Sequence, residues 1–145
     1  MKILIMGLPG AGKTWLSDHL QTNLRTSLFD SYDVRLMADD LDYSKEGRLR
    51  HARRMAAIAT FESGWGRTVI VNSVCPRIEM RAIIDPDVLI WMDTIEGSKD
   101  SNTNRMFQPL TNTDCKQRIV VRKRQQPSDV AKIAQRIEQQ RWDKL

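Results

Sequence analysis

Apolar and polar positions along this chain come in blocks, and the period changes from block to block. Residues 1–6 form a short apolar run of the kind a strand buried on both faces requires. Trp15, Leu16, Leu20 and Leu24 then recur at helical spacing and predict a helix from about Lys13 to Thr26. Leu28, Phe29 and Asp30 read as a second strand, and residues 36–43 as a polar, acidic connection. Ser44 suits a helix N-cap, with Gly47 three residues on where a capping box would have an acid. The helix it starts runs to about Glu62, with Leu49, Ala52, Ala56 and Ala59 as its apolar stripe, and Gly64-Trp65-Gly66 ends it. Residues 68–72 are a β-branched strand. Pro76 opens a short helix to about Ile84, and Val88 to Asp93 is a fourth strand. Residues 95–116 are polar and read as a lid with one helical turn. Arg118 to Arg122 is the last strand, and Pro127 starts a helix with the stripe Val130, Ile133, Ala134 and Ile137.

Strands alternating with helices predict an α/β fold, an open and mainly parallel sheet of about five strands flanked by helices. In such sheets a ligand lies beyond the carboxyl ends of the strands. Each polar cluster falls at such an end: residues 7–14, 30–35, 72–81, and those from Asp93 onward. The first, Gly7-Leu8-Pro9-Gly10-Ala11-Gly12-Lys13-Thr14, fits the pattern G-x-x-x-x-G-K-[ST] between a strand and a helix. That context turns backbone N–H groups and the positive end of a helix toward phosphate oxygens. The chain therefore reads as a P-loop NTPase fold. Lys13 would reach the β- and γ-phosphates of ATP, and the Thr14 hydroxyl would ligate Mg²⁺.

At 145 residues the chain is expected to be one kinase domain, 1–145, with a real core. Its net charge of +5 suits a protein that handles polyanions, and bound phosphates suffice to explain it. Cys75 and Cys115 form no C-x-x-C pair, so reduced thiols in the cytoplasm are expected. No signal peptide is expected, because the opening apolar run leads straight into the phosphate loop. No stretch approaches the roughly 20 apolar residues of a membrane span.

Phosphoryl transfer needs a carboxylate beside the acceptor hydroxyl and cations around the moving group. Asp30 is the first choice for the carboxylate, as base or Mg²⁺ partner, because it ends the second strand, expected next to the phosphate-loop strand; Asp33 is the alternative. The run Arg48-Leu49-Arg50-His51-Ala52-Arg53-Arg54 cannot serve one site whole. Positions six apart lie about 120° apart around a helix, whereas Arg48 with His51, or His51 with Arg54, share a face. Arg105 is the best lid cation to swing over the transferring phosphate. Asp93 stands where an NTPase often holds Mg²⁺, or else starts a helix, and Arg122-Lys123-Arg124 is either a solvated patch or a nucleic-acid contact. Trp15, Trp65, Trp91 and Trp142 are read mainly as packing. The guanine-reading Asn-Lys-x-Asp motif is missing, which disfavours a regulatory GTPase.

Taken in order, these motifs resemble those of the adenylylsulfate kinases. That family looks like G-L-x-G-x-G-K-[ST], then L-D-G-D-x-[VI]-R, F-S-x-x-D-R-x-x-N-I-R-R, S-P-Y-R-x-x-R and V-D-T. This chain has residues 7–14, then Phe29-Asp30-Ser31-Tyr32-Asp33-Val34-Arg35, residues 43–54, residues 75–81 and Met92-Asp93-Thr94. The resemblance implies transfer of the ATP γ-phosphate to the 3′-hydroxyl of adenosine 5′-phosphosulfate (APS). It implies substrate contacts from Arg35, Tyr43, Arg48, His51, Cys75 and Arg81. His51 stands for the family's asparagine, Cys75 for its serine, and Ser31-Tyr32 for the Gly-Asp of D-G-D. Arg77-Ile78 replaces Tyr-Arg, and the lid has residues 102–109 in place of the family's K-G-L-Y and G-F-T-G-I elements. The expected partners are ATP and a nucleotide-like small-molecule acceptor. A homodimer and a nucleic-acid contact stay open as alternatives, and no membrane is expected. Rival readings are a P-loop kinase for another hydroxyl, such as a polynucleotide 5′ end, and a non-catalytic ATP- or nucleic-acid-binding module.

Overall fold

The structure is a computed structural model that describes residues 1–143, with side chains described through residue 139. Among these residues five parallel strands form one sheet: β1 (Lys2–Met6), β2 (Ser27–Asp30), β3 (Val69–Asn72), β4 (Val88–Met92) and β5 (Gln117–Val121). The order is β2-β3-β1-β4-β5. Around it lie α1 (Lys13–Leu24), α2 (Ser31–Met37), α3 (Lys45–Gly64), α4 (Ile78–Ile84), α5 (Ser101–Met106) and α6 (Pro127–Asp143).

Side chains of β1 alternate between two cores. Ile3 and Ile5 pack with Leu16 and Leu20 of α1 and with Val130, Ile133 and Ile137 of α6. Leu4 and Met6 pack on the other face with Ala52, Met55 and Ala59 of α3 and with Met80 and Ile84 of α4. A strand buried on both faces needs an unbroken apolar run, and β1 has one from Ile3 to Met6. The connection leaving β1 runs to β2 on one side, and the one leaving β3 crosses to β4 on the other. The crevice at the carboxyl ends of β1 and β3 is thus a topological switch point, where open α/β sheets bind ligands.

Three expectations need correction. First, β2 does not lie beside β1; β3 stands between them, pairing Asp30 with Asn72 and Ile5 with Asn72 from either side. Second, residues 31–37, read as the polar exit of the second strand and the start of the connection over 36–43, are helical. Asp30 caps α2 by accepting from the N–H groups of Tyr32 and Asp33, and Val34 is its buried apolar anchor. A helix this short shows no full hydrophobic period, so its cap was its main signal. Third, the buried stripe of α3 runs through His51, Ala52, Met55 and Ala59, whereas Leu49 and Ala56 are half-buried. Ser44 caps α3, as expected, by accepting from Gly47 N–H.

Candidate active site

Two glycines decide the shape of the phosphate loop. A Cβ on Gly7 would stand 2.8 Å from the carbonyl oxygen of Met92, so only glycine lets the loop leave β1 so close to β4. Gly12 takes φ 97° as the N-cap of α1, and its carbonyl accepts from Leu16 N–H at 3.1 Å. The loop is braced from behind. Thr94 Oγ1 donates to Ala11 O at 2.7 Å, Asn72 Nδ2 donates to Ser17 Oγ at 3.1 Å, and Ser17 Oγ donates to Thr14 O at 3.0 Å. Sequence reasoning missed Asn72 and Ser17 as supports; a polar residue ending a buried strand was the available signal.

A cavity of about 1070 Å³ opens over the loop, at the carboxyl ends of the strands. Pro9, Lys13 and Thr14 form its phosphate side. Asp30, Ser31, Tyr32 and Arg35 enter from the end of β2 and from α2; Arg48 and His51 enter from α3, with Tyr43 just before it. Cys75 follows β3, and Asp100, Asn102 and Arg105 come from the lid. Lys13 Nζ donates to Leu8 O at 3.0 Å, and burial lowers its pKa to about 8 against the opposing pull of Asp30. A bound polyphosphate would supply the negative charge that this half-buried ammonium lacks.

Both capping bonds of Asp30 fall on Oδ1. Thr14 and Asp30 bring hard oxygen donors to the same cavity as Lys13, which suits Mg²⁺ held jointly with phosphate oxygens. Among the described residues no group of three His, Cys, Asp or Glu could hold a metal without such help. Asp33 does not line the cavity; it is exposed on the first turn of α2.

Arg35 is 4 % exposed. Its Nη1 donates to Asp40 O at 3.1 Å and Asp42 O at 3.2 Å, and its guanidinium lies 4.2 Å over the Tyr43 ring. Arg48 covers that ring at 5.5 Å and donates from Nε to Tyr43 O. The basic run divides as helical spacing required. Arg48 and His51 reach the cavity, whereas Arg50 and Arg54 pair with Asp40 at 2.8 and 3.0 Å. Those two guanidiniums hold the Asp40 carboxyl far below the usual carboxylate range. Arg105 lines the cavity and donates to Asn102 Oδ1.

Arg81 is absent from the cavity wall, contrary to expectation. It is fully buried, pairs with Asp114 at 3.0 Å, and donates to the carbonyls of Cys75, Gln108 and Pro109. Its fork ties the rear of the lid to the segment after β3, which is a structural task. Cys75 lines the cavity as a buried thiol whose pKa burial pushes up to about 12. Asp93 lies away from Asp30, in a smaller cavity of about 260 Å³, and faces Arg122 at 3.7 Å. Of the tryptophans, Trp91 stacks on Phe107, but Trp65 is 73 % exposed and Trp15, stacked on His19, is 37 % exposed. The side chain of Trp142 lies outside those described. Among the described residues no helix is long and apolar enough to cross a membrane.

Comparison with solved structures supports the architecture. The chain superposes on the Mycobacterium tuberculosis APS kinase CysC in complex with AMPPNP and APS with a TM-score of 0.70 at 17% identity, covering 95% of each chain. It is also similar to shikimate kinase from Acinetobacter baumannii in complex with shikimate, with a TM-score of 0.61 at 16% identity, covering 99% of this chain and 93% of that one. At such identities the likeness shows the fold, an α/β P-loop kinase fold. A curated relative, the adenylyl-sulfate kinase of Pseudomonas aeruginosa, is 36% identical over 80 residues, 51% of this chain. The match spans 41% of that relative's own length. The adenylylsulphate kinase family model matches residues 1–94, which take in the phosphate loop, Asp30, the α3 arginines, Cys75 and the Thr94 brace. On that match, the chain belongs to the adenylylsulphate kinase family.

Proposed function

We propose that the protein is an ATP-dependent kinase that transfers the γ-phosphate to the 3′-hydroxyl of adenosine 5′-phosphosulfate. One observation carries the reading: the phosphate loop, Asp30, and the Arg35-Tyr43-Arg48 stack line a single cavity in a chain of this family. The loop binds the ATP phosphates through backbone N–H groups, and Lys13 stabilises charge on the transferring group. Asp30 accepts the proton of the attacking hydroxyl. The new bond joins that oxygen to the γ-phosphorus, the bond to the β,γ-bridging oxygen breaks, and ADP leaves with its electrons. Thr14 and Asp30 would hold Mg²⁺, which neutralises phosphate charge when bound. Tyr43 and its two arginines present a flat, cationic surface suited to a purine and an anionic tail. The two cysteines are unpaired, which suits a reducing cytoplasm.

The test is γ-phosphate transfer from radiolabelled ATP, run in parallel on adenosine 5′-phosphosulfate and on 5′-hydroxyl oligonucleotides. Labelling of the first supports the reading. Labelling of the oligonucleotide alone replaces the acceptor, and ATP binding without transfer to either replaces the enzyme with a binding module.

A further inference from the structure

Two positions that depart from the family motifs meet in this chain. Ser31 stands for a glycine and His51 for an asparagine, and Ser31 Oγ lies 2.6 Å from His51 Nε2. Both residues line the main cavity, and Ser31 directly follows Asp30. His51 is 5 % exposed, and its Nδ1 is buried without a hydrogen-bond partner.

The direction of that bond follows from the surroundings. Burial first, then the guanidiniums of Arg35 and Arg54, lower the imidazole pKa to about 4, against a weaker pull from Asp40, so the ring is neutral and carries one N–H. With the hydrogen on Nδ1, a buried donor would go unpaired in a field of positive charge, which is doubly unfavourable. With the hydrogen on Nε2, the bare Nδ1 lone pair sits in that field favourably. The imidazole is therefore the donor and Ser31 Oγ the acceptor. Ser31 keeps its own hydrogen, and as the first residue of α2 it has no carbonyl of a preceding helical turn to give it to.

We propose that His51 positions Ser31 so that the Ser31 hydroxyl donates to an oxygen of the acceptor beside Asp30. The pair thus acts on the acceptor and not on ATP. This inference rests on the kinase reading above. It makes Ser31 a specificity-determining residue that favours acceptors with an oxygen neighbouring the reacting hydroxyl.

The experiment is steady-state kinetics with ATP and adenosine 5′-phosphosulfate on the wild type, Ser31→Ala, His51→Ala, the double variant and His51→Gln, whose amide can donate in place of Nε2. Ser31→Ala should raise the acceptor KM about tenfold, the worth of one hydrogen bond, while the ATP KM stays within twofold. His51→Ala should do the same, the double variant should be no worse than either single, and His51→Gln should recover most of the loss. Parallel rises in both KM values, or single effects that multiply in the double variant, would overturn the proposal. In parallel, ¹⁵N NMR of the histidines should show His51 protonated at Nε2 and bare at Nδ1; the opposite tautomer overturns the proposal without any turnover assay. A wild type that labels no adenosine 5′-phosphosulfate would sink the acceptor reading alone, since the tautomer still decides the pair.

Discussion

The two ends of the cavity are built from different material. The phosphate end is main chain: a loop between β1 and α1, shaped by Gly7 and Gly12 and braced by Thr94 and the Asn72–Ser17 link. The proposed acceptor end is side chain: Arg35 and Arg48 stack on Tyr43, Arg35 bonds to Asp40 and Asp42, and His51 bonds to Ser31, with lid residues beside them. Backbone geometry needs only a few residue types at fixed spacing, so the first end follows one pattern. Side-chain surfaces are set by pairs of residues, as Ser31 with His51 illustrates. A site built this way fixes phosphate by backbone and leaves the opposite wall to the identity of its side chains.

The sharpest way to break the acceptor end is through its support. Arg81→Ala leaves the Asp114 carboxylate buried without its partner. It should cost about 3–5 kcal/mol of stability, read by urea unfolding. If instead Arg81→Ala unfolds like the wild type and only weakens acceptor binding, the guanidinium serves substrate after all. At the phosphate end, Lys13→Ala should lower transfer about 10²-fold or more with an unchanged unfolding midpoint. Activity that persists would put Lys13 outside the transfer site. Asp30→Asn keeps a good helix cap, because asparagine caps as well as aspartate, so it isolates the charge. It should lower kcat about 10²-fold and leave the ATP KM within twofold. A matching rise in the ATP KM would move Asp30 from chemistry to nucleotide binding.

A smaller effect separates the two ends by pH. His51 is held neutral, with its pKa near 4 against an ordinary 6.5, so the unfolded chain takes up the proton first as pH falls. Its contribution is therefore fully present above pH 6.5 and is lost progressively down to about pH 4, at most about 3 kcal/mol before solvent screening reduces it. Unfolding free energies between those limits should show the slope, and His51→Gln should flatten it. A slope that survives the substitution belongs to other groups.

This contrast also explains what was legible beforehand. Strands β1, β3 and β4, the phosphate loop and the cap Ser44 follow local rules, and residues a few positions apart carry them. Strand order is not local: β3 inserts between β1 and β2 because of long connections, so the neighbour expected for Asp30 was wrong although its cavity was right. Arg81 and Asp33 were misplaced for a related reason. Their roles depend on Asp114, which lies 33 residues away, and on the turn of a helix too short to show a period. Met55, within the expected helix, was passed over because its neighbours are small alanines whose stripe looked complete without it.

The rear of the lid sets how Arg105 can work. Gln108, three residues on, donates its N–H to Pro76 O at 2.7 Å and accepts from Ile78 N–H at 2.8 Å, while Arg81 grips the carbonyls beside it. Arg105 therefore sits between two ties: Asn104, one residue before it, is bonded to Ser98, and Gln108, three after it, is bonded to the segment that follows β3. Both flanks of α5 are pinned, so the exposed guanidinium is carried on a short anchored helix rather than on a free loop.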